Sequence, residues 1–340
     1  MSELSALIEA LSIPDVYPHN PKEVELIQTQ ISAVFIAGDY VYKIKKPVDF
    51  GFLDFTTLDK RRFYCQQEVA LNRRLCPDTY LDVVPIIQNE AGFSVEGKGE
   101  VIEYAVKMRP LPYERMMDVL LRNNQVTREM LDRVAEKLAD FHRKAVLSEQ
   151  LARIGDIESV TQNAEENFVQ TESYVNKTLN RDQFQRIKDF TYPFLEKNSL
   201  LFSERVKTGK IKDCHGDLHA AHICFSEDIC IYDCIEFNDR FRYIDVASEV
   251  AFLAMDLDFH GRSDLSKHFV SSYVKASGDS ELPLLLDFYK CYRAYVRGKV
   301  EGFKLDDPHI SDNDKMQTLI VARKYFELAE SYTTKEQTNL

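Results

Sequence analysis

The sequence predicts an α+β fold: a β-rich N-terminal part followed by a larger, mainly helical part. Short apolar runs rich in β-branched and aromatic residues crowd the first third of the chain, and apolar residues at helical spacing dominate the rest. Pro110-Leu111-Pro112 separates the two regimes. The expected boundary therefore falls there, with one lobe at 1–110 and a second at 111–340. A chain of 340 residues, 44% of them hydrophobic, is long enough to bury two such cores.

In chain order, an N-terminal helix precedes three strands, Val24 to Gln30, Ala33 to Ala37 and Val41 to Lys45, the last two joined at Gly38-Asp39. Thr56 to Leu75 reads as a helix with Thr56 and Asp59 as its capping box. Val83 to Ile87 and Val101 to Met108 are further strands. Thr127 to Lys144 places Met130, Leu131, Val134, Leu138 and Phe141 at helical spacing. Helices follow over Val160 to Lys177 and Asp182 to Lys207, then a strand-rich stretch from Ile211 to Ile235. Four more helices are expected near Tyr243 to Leu257, Ser263 to Ala276, Leu282 to Phe303 and Asp312 to Tyr332.

Composition narrows the function classes. A net charge of −12 argues against general nucleic-acid binding, which needs a basic face, and is compatible with a cationic small-molecule partner. No run approaches the ~18 apolar residues of a membrane span. Glu3 and Glu9 occupy the place of a basic signal region, so a cytoplasmic location is expected. The seven cysteines, an odd number set mostly in apolar patterns, suit reduced core thiols rather than a disulfide framework.

The chemistry concentrates between His215 and Asp233. Asp217, in a turn-prone His-Gly-Asp segment, stands five residues before His222 and sixteen before Asp233. That spacing suits phosphoryl transfer, in which one carboxylate orients a substrate hydroxyl while later side chains face metal-bound phosphates. Asp217 is assigned as catalytic base. Asp233, read as lying inside the apolar run Ile229 to Ile235, would be a costly buried carboxylate without a cation, and Mg²⁺ suits its hard oxygen donors. Glu236 is a further ligand or an ion-pair partner. Glu68 falls on a helical face with Tyr64, Leu71 and Leu75 and needs a cation there.

His215-Gly216-Asp217, the residue five beyond Asp217, Asp233 and the later Asp245 resemble the aminoglycoside phosphotransferase-like branch of the protein-kinase-like fold. The run from Val34 to Asp39 with Val41 to Phe52 is similar to the kinase-like half of bacterial proteins that fuse such a domain to a P-loop ATPase. No Gly-x4-Gly-Lys-Ser/Thr segment occurs here, so that second half is absent from this sequence, and a separate P-loop ATPase chain is a candidate partner. The resemblance implies a two-lobed fold, nucleotide in the 1–110 lobe, and the catalytic loop and substrate site in the 111–340 lobe. It also implies ATP and Mg²⁺ as cofactors. Lys43 then contacts the ATP phosphates, with Lys45 on the same strand face as the alternative and Glu68 as partner. Met108, Arg109 and Leu111 hold adenine through backbone groups, and His215 joins Asp217 in the catalytic loop. Asp233 and His222 are the metal ligands, and Asp245 braces the catalytic loop. Many members carry Asn where this chain has His222, and imidazole is a poorer Mg²⁺ ligand than an amide oxygen.

The implied activity is transfer of the ATP γ-phosphoryl group to a hydroxyl of a small molecule, with Asp256, Asp258, Glu301, Asp306 and Asp307 available for amino groups of the acceptor. Two rivals are a nucleotide-binding pseudokinase or regulatory module, for which His222 argues, and nucleotidyl transfer to protein. A zinc site from His215, His219 and His222 with Cys214 and Cys224 requires His215 and His219 to share a helical face.

Overall fold

The computed structural model describes residues 3–90, 92–145, 156–307 and 310–334. The chain forms two compact units. The first comprises Met1–Val119 together with Ala221–Asp239, and the second comprises Leu120–Ala220 and Arg240–Leu340. The first unit is thus discontinuous: the segment from Ala221 to Asp239, well past Pro112, belongs to it.

The first unit is built on a six-stranded antiparallel sheet in the order β1 (Val24–Gln28), β2 (Ser32–Ala37), β3 (Tyr40–Lys45), β6 (Glu100–Met108), β4 (Tyr80–Asn89), β5 (Gly92–Val95). Gly38 at φ +60° makes the tight β2–β3 turn. One sheet face buries Phe35, Tyr42, Ile44, Val84 and Ile86 against Leu7 and Leu11 of α1 (Glu3–Leu11). The other buries Val41, Val106 and Met108 against Cys65 and Val69 of α2 (Leu58–Asn72), with Cys224 and Cys230 of the hairpin β8 (Ile223–Phe225) and β9 (Ile229–Ile231). Two layers on one sheet therefore fix α2 and the β8–β9 hairpin on the same side as Val41.

Several expectations are corrected. The cap of α2 is Thr57, whose hydroxyl accepts the Lys60 amide, while Thr56 bonds Asp54. Two neighbouring threonines satisfy the sequence signature equally well. Strand β5, only four residues long and too short to show alternation, escaped the sequence reading. The reading of all cysteines as thiols fails at one pair: Cys76 and Cys230 form a disulfide, with Cα atoms 4.7 Å apart and a sequence separation of 154. Spacing along the chain cannot reveal partners that only tertiary packing brings together. Cys65, Cys214, Cys224, Cys234 and Cys291 remain buried thiols.

The second unit is helical. Alongside α3 (Met117–Arg122), which spans the unit boundary, its principal helices are α4 (Arg128–Lys144), α5 (Ile157–Thr171), α6 (Arg181–Lys197) and α7 (Ser199–Lys207). After the short α8 (Asp239–Arg242) come α9 (Val246–Phe259), α10 (Ser263–Ser277), α11 (Leu282–Phe303) and α12 (Asp312–Thr333). The predicted helix Asp182 to Lys207 is two helices, because Asn198 breaks it: both its amide and its side-chain nitrogen donate to the Phe194 carbonyl. Phe252, Tyr295, Phe326 and Ala329 meet in the core where α9, α11 and α12 pack. A two-stranded antiparallel ladder, β7 (Ile211–Asp213) with β10 (Tyr243–Asp245), delivers the chain to the His-Gly-Asp segment on one side and to α9 on the other. The expected helix start at Tyr243 is this strand. Among the described residues no helix is long and apolar enough to cross a membrane.

Candidate active site

In the first unit, β3 directs Lys43 and Lys45 to one face of the sheet, two residues apart, and α2 presents Glu68 to both. Lys43 Nζ lies 2.8 Å from Glu68 Oε1, an ion pair without hydrogen-bond alignment, and Lys45 Nζ donates to Glu68 Oε2 at 2.7 Å. Glu68 is fully buried, and burial alone would raise its pKa. The two ammonium groups outweigh that and hold it below the usual glutamate range.

The lysines differ in their second partners. Lys43 donates to Asp233 Oδ1 at 2.7 Å, whereas Lys45 donates to Glu236 and sits 4.9 Å above the Phe55 ring. Lys43 keeps 15% of its side chain exposed, and Lys45 keeps 2%, sealed between two carboxylates. Burial opposes the charge on each, yet the facing carboxylates raise both pKa values, so both lysines stay protonated.

Asp233 is not in a strand. Strand β9 ends at Ile231, and Asp233 has φ +62°, a left-handed conformation that no strand residue adopts. Nor is its carboxylate buried: 40% of the side chain is exposed. Its amide donates to the Tyr80 hydroxyl at 3.2 Å, and the Cys234 amide donates to Asn72 Oδ1 at 2.8 Å. His222 Nε2 stands 3.6 Å from Asp233 Oδ2, so this unit brings both predicted metal ligands together. The donor chemistry fits a hard cation on Asp233 and less well on His222. At the end of β6, Met108 pairs with Val41 and Tyr80, and the Arg109 amide donates to the Thr79 carbonyl at 2.9 Å. Pro110 and Pro112 have no N–H, which leaves Leu111 to supply the backbone donor beyond Arg109.

In the second unit, β7 leads into a non-helical segment carrying His215, Gly216 and Asp217. The absence of helix there removes the shared His215–His219 face that a zinc reading requires. Gly216 has φ +89°, which a side chain would strain. His215 is fully buried and its Nδ1 accepts the Asp217 amide at 3.3 Å, so this ring shapes the loop. The Asp217 carboxylate, 31% exposed, lies 3.6 Å from His219 Nε2.

Glu249 braces this loop, a residue the sequence reading missed. Its two oxygens accept the His215 and Gly216 amides at 2.6 and 3.0 Å. Burial would raise its pKa, but the facing rings of His142, whose Nε2 stands 4.0 Å from Oε1, and of the nearby His215 keep it low. Asp245, expected in that role, instead caps α9 through the Ala247 amide and grips Arg205 through both oxygens. A signal was present: Glu249 is the sole acid between Val246 and Met255 in an apolar helix, and a buried carboxylate demands partners. Asp256 Oδ2 accepts the Ala220 amide at 2.8 Å, and Arg293 Nη1 donates to the Gly216 carbonyl at 3.3 Å.

The acids considered for acceptor recognition have partners inside this unit. Asp258 binds Lys290 at 2.9 Å and the Tyr332 hydroxyl at 2.7 Å. Glu301 binds Lys304, and Asp306 accepts the Tyr174 hydroxyl.

No protein-family model matches the chain. Uncharacterised proteins of Mycobacterium tuberculosis and Mycobacterium bovis are 33% identical over 309 residues, 90% of this chain. The chain spans 60% of their length. Among solved structures, a choline/ethanolamine kinase family protein from Mesorhizobium loti matches 96% of this chain and 99% of its own, at TM-score 0.55 and 12% identity. An amicoumacin kinase, solved with AMP-PNP, Ca²⁺ and Ami, matches 96% and 94% at TM-score 0.57 and 13% identity. A Plasmodium vivax ethanolamine kinase matches 96% and 89% at TM-score 0.52 and 13% identity. The chain has the fold of these small-molecule kinases, the two-lobed protein-kinase-like fold with a β-rich lobe and a larger helical one.

Proposed function

We propose that this protein is an ATP- and Mg²⁺-dependent phosphotransferase that moves the γ-phosphoryl group to a hydroxyl of a small molecule. The observation that carries this reading is the Lys43–Glu68 ion pair at 2.8 Å with Asp233 on the same ammonium, a fully buried acid orienting a cation beside an exposed carboxylate. The shared fold with small-molecule kinases, one of them solved with AMP-PNP and Ca²⁺, supports it.

In this reading Lys43 meets the nucleotide phosphates, and Asp233, with His222 beside it, would hold Mg²⁺. The bound ion would neutralise phosphate charge. Asp217 accepts the acceptor's hydroxyl proton as the new oxygen–phosphorus bond forms and the bond to ADP breaks. Positioning dominates such chemistry, and the Glu249 and Asp256 contacts to the catalytic loop supply it. The cytoplasm is the proposed location. A P-loop ATPase chain is a proposed partner.

The test is Mg²⁺-dependent ATP binding followed by an acceptor screen of amino sugars, sugars and amino alcohols. Asp217→Asn should keep nucleotide binding and lose turnover by about two orders of magnitude or more. An unaffected Asp217→Asn variant would refute the assignment. Binding without acceptor-stimulated turnover would favour the regulatory module, the reading that His222 near Asp233 supports.

A further inference from the structure

Two lysines meet one glutamate, and only one of them also meets Asp233. What the other does follows from where it is held. Asp233 stands in a left-handed conformation that a non-glycine residue keeps only when its surroundings determine it. The four residues from Asp233 to Glu236 are pinned at three points. The Asp233 amide is held by Tyr80 from β4, the Cys234 amide by Asn72 from α2, and the Glu236 carboxylate by Lys45 from β3. Lys45 in turn grips Glu68, whose other oxygen faces Lys43, whose ammonium returns to Asp233. The contacts form a closed ring that begins and ends on the same four-residue turn: Asp233, Lys43, Glu68, Lys45, Glu236. Two members of that ring, Lys45 and Glu236, have 2% and 7% of their side chains exposed, too little to meet a ligand.

We infer that the Lys45–Glu236 pair is a positioning device for Asp233: it fixes the far end of the turn so that the near end presents its carboxylate to a divalent cation, and leaves Lys43 as the phosphate-facing lysine. The inference rests on the nucleotide reading above. Partners that orient a metal-binding side chain without touching the metal typically change metal affinity by about 10- to 100-fold when removed.

The experiment follows binding of AMP-PNP to the full chain by calorimetry across a Mg²⁺ titration. Glu236→Gln and Lys45→Met should each raise the Mg²⁺ concentration for half-maximal binding by about tenfold. The weak binding measured in EDTA should not change in Glu236→Gln, and Lys45→Arg should recover part of the loss. Because each single change strands a buried charge, the double variant Lys45→Met/Glu236→Leu guards against misfolding: it removes both charges together, and should fold and show the same Mg²⁺ shift. Wild-type Mg²⁺ dependence in a folded double variant would overturn the inference and reduce the pair to a stabilising contact. A wild-type protein that binds AMP-PNP equally with and without Mg²⁺ would overturn the metal role of Asp233 itself, a result visible before any variant is made.

Discussion

Glu249 Oε2 accepts the Gly216 amide at 3.0 Å while its other oxygen accepts the neighbouring His215 amide at 2.6 Å, so one buried carboxylate satisfies two successive donors of the loop that carries Asp217. A carboxamide cannot do this. Glu249→Gln keeps one acceptor and turns an NH₂ group toward the second backbone N–H. The loop should shift by a fraction of an ångström and Asp217 with it, and misplacement on the ångström scale costs about 100-fold in rate. Steady-state kinetics should therefore show a large fall in kcat with KM for ATP little changed. A matching rise in KM with kcat intact would assign Glu249 to nucleotide binding instead.

Glu68 is the second carboxylate with two partners, and its removal should cost stability before it costs anything else. Glu68→Gln leaves Lys43 with Asp233 and Lys45 with Glu236, but removes the charge between two buried ammonium groups. Breaking a buried ion pair from one side costs about 3–5 kcal/mol. Because each lysine keeps one carboxylate, urea denaturation should place Glu68→Gln at the lower end of that range, about 3 kcal/mol. A loss below about 1 kcal/mol, the value of an exposed pair, would show that the network is far better solvated than its burial indicates.

Much of this was legible in the sequence. The β-rich first part and the long helices rest on periodicity, a local signal, and periodicity put Glu68 on a helical face that needs a cation, whereas its pairing with Lys43 was what the family resemblance implied. Asp233 was misplaced because its neighbours from Ile229 to Ile235 are apolar or aromatic, and only backbone geometry tells a strand from a strand followed by a left-handed turn. Asp245 and Glu249 lie four residues apart at one helix start, and sequence could not decide which faces the loop. The side chains facing them decide it: Arg205 takes Asp245, and the loop amides take Glu249. The Cys76–Cys230 bond and the Lys45–Glu236 pair join residues 154 and 191 positions apart, beyond the reach of any spacing argument.

Close helix packing yields a third prediction. Gly298 on α11 faces the fully buried Phe326 ring of α12, and a Cβ there would meet three ring carbons at 3.0 Å. The ring is hemmed in by core neighbours that include Tyr295, against which it packs edge-on with centroids 5.1 Å apart. Alanine ordinarily gains about 1 kcal/mol over glycine within a helix. Here overpacking should exceed that gain, so Gly298→Ala should destabilise by about 1–2 kcal/mol net. A rise in Tm would show that α11 and α12 can separate without loss.

Lys299 offers a pH test with a defined sign. Burial pushes its pKa down from 10.5 to about 8, with the Glu166 carboxylate opposing the shift and Arg240 adding to it. Its ammonium donates to Asn167 Oδ1 at 2.6 Å and Gln170 Oε1 at 2.7 Å, neutral acceptors that do not supply a counter-charge. Between pH 8 and 10.5 the unfolded chain holds this proton and the folded chain has released it, so folding is favoured as pH rises through that window. Below pH 8 both states are protonated and the penalty for burying the charge is present in full. Relative to Lys299→Met, the wild type should gain stability from pH 8 to 10.5 with a slope of at most about 1.4 kcal/mol per pH unit, less whatever solvent reaches the amine. Denaturation midpoints of the two proteins at pH 7, 8, 9 and 10 test this, since all other titrating groups cancel in the difference. A difference that stays flat across the window would place the Lys299 pKa near its ordinary value and leave Asn167 and Gln170 as sufficient solvation for its charge.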